Sequence, residues 1–167
     1  LSENIVEYMS HYKSLGDYLE MRSGKIYNLG FLIEVFIDKS YTTATVISAI
    51  INKVQDYMDI NKHEMGEEIF LGDLEKSLNL IDGVLALIDV KVYNIYNDGS
   101  TLSQYNSKST LPSYNEDGCS CDTKIKDEFS VTNGKSYRID LDSLDSVLTL
   151  DYDSMFEVLN PTSDIQI

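Results

Sequence analysis

Apolar positions change period several times along this chain, and each change marks an element. Ile5, Tyr8, Tyr12 and Leu15 recur at spacings of three and four. They predict a helix over 3–15, with Ser2 placed to cap it and Gly16 to stop it. Alternation follows in KIYNLGFLIEVFID (25–38), where Leu29, Phe31, Ile33, Val35 and Ile37 share one face of a strand. Asn28, Gly30, Glu34 and Asp38 lie on the other face; Leu32 and Phe36 interrupt it, so partial cover is expected there too.

The period of a helix returns at 42–60. Ile47, Ile50, Ile51, Val54, Tyr57 and Met58 form a broad stripe, and Thr42 or Thr43 can cap its first turn. Its β-branched content means that packing, more than propensity, must hold it. A short strand, Ile69 to Leu71, then runs into Gly72. Asp73 reads as an N-cap, Leu74, Leu78 and Ile81 as a buried stripe, and Gly83 as the left-handed stop. In VLALIDVKVYNIY (84–96), Ile88, Val90 and Val92 are expected inside, with Asp89, Lys91 and Tyr93 outside.

Helices interleaved with strands imply an α+β fold, a small mixed sheet with helices on one face. From 97 to 124 the sequence is rich in Ser, Asn, Asp and Gly, which predicts a long loop. EFSVTNGKSYRIDL (128–141) predicts a β-hairpin turning at Asn133-Gly134. The division expected is an N-terminal helix and connector (1–24), an α+β core (25–96), and an extended C-terminal hairpin and loop region (97–167). The chain opens on Leu1, and we read it as a piece of a longer protein.

The chain has 167 residues and a formal charge of −15. That field repels phosphate backbones and anionic lipid, so neither nucleic acid nor membrane is an expected partner. No run of about 18 apolar residues is present. Cys119 and Cys121 are too close for an unstrained bridge, and zinc would need both distant histidines, His11 and His63. Two reduced thiols in a loop are the simpler expectation. Asp140, Asp142, Asp145, Asp151 and Asp153 suggest calcium, but counting from Asp151 puts Phe156 and Thr162 where an EF-hand needs Gly and Glu. Neither histidine has a nucleophile at a diagnostic spacing, and the single glycine before Lys25 is no phosphate loop. No enzyme, cofactor or small-molecule substrate is expected.

Several stretches resemble the C-terminal region of the baseplate wedge proteins of T-even-like contractile-tail bacteriophages, related in turn to the baseplate J-like family. These are Tyr27-Asn28-Leu29-Gly30 on the strand and Asp56 to Lys62 at the helix end. Ile69, Leu71, Asp73-Leu74 and Leu80-Ile81-Asp82-Gly83-Val84 follow. SMFEVLNPTSDI (154–165) is similar to that family's closing segment, which commonly continues with a glycine where this chain has Gln166-Ile167. The likeness covers 25–96 and 154–165. It implies a structural virion protein of the tail baseplate, assembled in the host cytoplasm, pairing with copies of itself and with other wedge proteins. The alternative is a calcium-dependent or other adhesion module; an unrecognised hydrolase of the tail machinery is a further one.

The closing segment also poses a physical problem. Met155, Phe156, Val158, Leu159, Pro161 and Ile165 are too apolar to remain in water, and burial of each large side chain contributes about 1.5–3 kcal/mol. With Tyr93, one of 12 tyrosines, they are the interface residues expected from sequence, docking on a neighbouring element or subunit.

Overall fold

A computed structural model describes residues 2–14, 16, 18, 21, 24–96, 111, 129 and 135–167. The first helix, α1 (Ser2–Ser10), is shorter than its apolar stripe predicts. It closes in a turn in which Tyr12 N–H donates to the Met9 carbonyl at 3.0 Å. Ser2 lies inside the helix rather than before it, and Leu15 falls outside the described residues. Ile5, Tyr8, Met9 and Tyr12 are exposed, so the stripe finds no cover among the described residues.

The strand expected at 25–38 is β1 (Lys25–Ile37), and it organises the rest. Tyr27, Leu29, Phe31 and Ile33 are buried on one face. Against them pack Val46, Ile50, Val54 and Met58 from α2 (Thr43–Tyr57) and the residue after it. Ile47 and Ile51, expected in the stripe, flank it half-buried, and Val46 takes the first inner position. Thr42 precedes the helix, but its hydroxyl makes no capping bond. Its carbonyl instead accepts from the Thr45 and Val46 amides.

A two-residue strand, β2 (Ile69–Phe70), leads directly into α3 (Leu71–Asn79). The cap assigned to Asp73 is corrected. Leu71 begins the helix, buried with Leu74 and Leu78, and Asp73 is its third residue, paired on the surface with Lys76 at 3.1 Å. The helix also stops earlier than Gly83. Asn79 ends it, its Nδ2 donating to the Glu75 carbonyl and its Oδ1 accepting the Leu87 amide. Gly83 does have the expected left-handed backbone (φ +93), in the turn that follows, where its carbonyl accepts the Asp38 amide at 2.9 Å.

That turn delivers β3 (Val84–Tyr96), antiparallel to β1. Simple alternation fails here. Asp89 pairs with Glu34 but Leu87 with Val35, and Ala86 pairs with Phe36 but Val84 with Ile37. Ile88 and Leu85 are thus the extra residues of two bulges. Each bulge resets the phase, so Val92, Val90, Leu87 and Val84 meet the core, while Ile88, expected inside, is exposed.

The C-terminal region completes the same sheet. β4 (Lys135–Arg138) pairs antiparallel with β3, setting Tyr137 opposite Asn94. The Asn133-Gly134 turn lies outside the described residues, as do Cys119 and Cys121. A short 3₁₀ turn, Asp142–Leu144, precedes β5 (Val147–Leu148), which pairs with β2 to bury Leu148 against Ile69. β6 (Ser154–Glu157) then runs parallel to β1, followed by a single helical turn, α4 (Pro161–Asp164), and β7 (Ile165–Gln166), also parallel to β1. The sheet order is β4-β3-β1, with β6 and β7 sharing the far edge of β1. The result is an α+β fold with a mixed sheet. The compositional boundary at 96/97 does not divide this core: Ile139, Leu148, Phe156 and Ile165 lie in one cluster with Leu29 and Phe31.

The register explains why the tail fits. Phe156 stands opposite Tyr27 and Ile165 opposite Phe31, so both enter the helix-covered face. Two backbone bonds fix the approach: Lys25 N–H to the Asp153 carbonyl and Gly66 N–H to the Ser154 carbonyl, each 2.8 Å. Gly66 has φ +76, and a Cβ there would lie 2.8 Å from the Tyr152 Cα, a backbone atom that cannot swing away. Gly66→Ala is expected to destabilise the fold by about 1–3 kcal/mol, read as a lower midpoint in urea with an unchanged slope.

Candidate interaction surface

The residues predicted to meet a partner divide by location. Phe156, Ile165 and Tyr93 are buried within this chain. Phe156 and Ile165 close the core as just described. Tyr93 stacks on Phe129, ring centroids 4.7 Å apart, and the Phe129 ring occupies the space that a side chain at Gly30 would fill. Leu32 and Ile95 complete that small outer cluster. The partial cover expected for Leu32 is therefore present, and the tail's surface requirement is met by its own sheet. Met155, Val158 and Pro161 are half-buried, and Leu159 is 51% exposed.

Asp164 locks the tail's turn. It is buried, and its carboxylate accepts the Asn160 amide and the Ser163 hydroxyl, both at 2.9 Å. Pro161 at the first helical position has no amide to leave unsatisfied.

Besides the uncovered stripe of α1, two surfaces among the described residues combine exposed apolar side chains with defined geometry. One is the far end of the β1–β3 ribbon. Beyond Leu32 the outer face carries Lys91, whose ammonium meets Glu34 at 2.9 Å and Asp89 at 3.8 Å. Past that ion cluster come Phe36, 62% exposed, and the bulge residues Leu85 and Ile88, 67% and 53% exposed. Among the described residues, no strand pairs with the outer edge of 33–37. The sequence carried a signal for this patch: Leu87 and Ile88 are adjacent, so one of them must leave the core face.

The other surface is a groove of about 200 Å³ between the end of α2 and the tail. Gln55, Met58, Asp59, Ile60, Glu157, Val158 and Pro161 line it. Its two charged lining residues, Asp59 and Glu157, are both acidic. The Asn61 backbone amide, and then its side-chain amide, hydrogen-bond Asp59 and hold its carboxyl below the usual carboxylate range. No local pattern marks this groove, because residues about 100 positions apart meet through the parallel pairing of β6 with β1.

Three of the five clustered aspartates serve local ends. Asp151 and Asp153 face the Lys25 ammonium at 3.7 and 3.5 Å, and Asp140 accepts the Ser143 amide. Among the described residues, no three His, Cys, Asp or Glu side chains converge as a metal group would require. His63 is the more enclosed histidine, its Nε2 2.7 Å from the Tyr57 carbonyl and its Nδ1 3.3 Å from the Glu67 carboxylate. His11 lies exposed in the turn after α1.

No protein-family model matches the chain, and no curated protein matches it either.

Proposed function

We propose that this chain is a structural subunit of a contractile-tail baseplate wedge, held in the virion by contacts with copies of itself and with other wedge proteins. One observation carries the reading. The two stretches that resemble the wedge family, 25–96 and 154–165, lie far apart in sequence, yet β1 and the tail are hydrogen-bonded neighbours. A likeness confined to two separate stretches gains weight when those stretches form one physical unit. The role is mechanical: the sheet presents an apolar ribbon end, and no step of chemistry is asked of it.

Self-association is assigned to Phe36, Leu85 and Ile88, because exposed apolar side chains grouped at one end of a sheet favour protein contact. The double variant Phe36→Ser, Leu85→Asp is expected to shift the chain from dimer or higher species to monomer in light scattering, with its melting temperature nearly unchanged. Parent protein that stays monomeric at high concentration contradicts the self-contact. An antibody raised against the chain should mark the baseplate end of intact contractile tails. Purified tails that lack the chain contradict the particle assignment.

A further inference from the structure

The geometry points to the groove between α2 and the tail as the seat of a short basic, apolar segment of a different protein, one presenting Arg or Lys beside a large aliphatic side chain. This deepens the assembly reading, on which its biological sense rests, by giving the chemistry of one partner.

Size argues first. Small-molecule sites run to about 300–1,000 Å³, and this groove holds about 200 Å³, room for one or two side chains rather than a cofactor. Four of its lining residues are apolar: Met58, Ile60, Val158 and Pro161. Ile60 is exposed, as is Leu159, which follows the lining residue Val158 in the chain. Burial of these against a partner's aliphatic group is favourable.

Charge then selects the partner. Asp59 and Glu157 are both negative, and Gln55 to Ile60 form the last turn of α2 and its exit, where the helix dipole adds partial negative charge. The nearby Lys62 ammonium is ion-paired with Asp56 and offsets part of the Asp59 charge, which leaves Glu157 as the second carboxylate for a basic partner. With 13 Lys and Arg against 28 Asp and Glu, a second copy of this chain offers few segments of the opposite sign to this groove. Like charges brought together oppose association. A basic segment gains on every count, and its attraction is screened by salt.

The test uses the full chain, labelled with ¹⁵N, and synthetic peptides with one apolar core, Leu-Phe-Ala-Leu, flanked by Arg, by Gln or by Glu. The Arg peptide is expected to move the amide signals of 55–60 and 157–160 and to bind at least tenfold more tightly than the Glu peptide. That advantage should shrink as salt rises. Glu157→Gln and Asp59→Asn should each weaken the Arg peptide about two- to fivefold, and Ile60→Ser should weaken all three peptides, with melting temperatures held. Equal binding of the Arg and Glu peptides, shifts located elsewhere, or no binding at millimolar peptide overturns the inference. So does the appearance of the same shifts on raising protein concentration alone, since a second copy would then be the occupant. The peptide titration reads the groove and the antibody reads the particle, so failure of one is distinguishable from failure of the other.

Discussion

Deleting residues 154–167 is expected to unfold the chain, not merely to free it from partners. The segment supplies Phe156 and Ile165, both buried, together with the half-buried Val158. Loss of two large buried side chains alone removes about 3–6 kcal/mol of favourable burial. The deletion also uncovers Tyr27, whose ring lies 6.3 Å from that of Phe156, and opens the edge of β1 along Lys25–Asn28 and Phe31–Leu32. Unpaired strand edges cost stability and invite aggregation. Domains of this kind hold only about 5–15 kcal/mol in total, so little native protein should survive. Circular dichroism would show lost strand signal, and the truncated chain should aggregate. A truncated chain that melts cooperatively near the parent temperature would mean that the tail is an accessory.

The second large effect is Ile50→Asp. Ile50 is fully buried in the middle of α2, facing the sheet. The substitution loses the burial of an isoleucine and places a carboxyl among Val46, Val54 and the β1 side chains. A buried carboxyl without a partner either stays charged at great cost or takes a proton at a smaller one. Destabilisation upwards of about 4 kcal/mol is expected at neutral pH, partly relieved in mild acid. The sign follows from the desolvated carboxyl: burial raises its affinity for a proton in the folded state, so folding is favoured as pH falls. Urea denaturation at pH 7 and pH 5 checks both size and direction. Equal stability of variant and parent would mean that another face of α2 is buried.

These effects show how far the sequence could be read. Strict alternation from Leu29 to Ile33 placed β1 and its inner face correctly, because a half-buried strand has few other ways to satisfy that pattern. The helix at 43–57 was legible for the same reason at a different period. Failures cluster where a local rule competed with a longer-range one. Asp73 looked like a cap because Gly-Asp precedes an apolar run; Leu71 wins the helix start because its side chain belongs to the core. Alternation puts Ile88 inside, and the bulge that expels it depends on pairing with β1, which one strand alone cannot show. Alternation puts Tyr93 on the face of Asp89 and Lys91, and its type suggests an interface. Its cover comes from Phe129, 36 positions away, in a stretch whose own pattern does not say which strand it meets.

The tail was half legible. Its composition announced a need for a partner surface, but not whose. The answer lies in register: parallel pairing with β1 turns Phe156 and Ile165 inward and leaves Leu159 out. That same pairing carries Glu157 and Pro161 to the end of α2 and so creates the groove. The apolar patch at the far end of the ribbon is separate in space and suits a different contact. A subunit with two unlike surfaces can bind a copy of itself at one and a different protein at the other, which the assembly reading requires.

The claim that most of this depends on is that 154–157 and 165–166 are strands of the central sheet in the isolated chain. Hydrogen–deuterium exchange measures it directly. Amides of 154–157 and 165–166 should be protected to nearly the same degree as those of Leu29–Ile33, and should open with them in a single cooperative event as urea is added. Exchange of the tail at the rate of a free peptide, while β1 stays protected, would contradict the account.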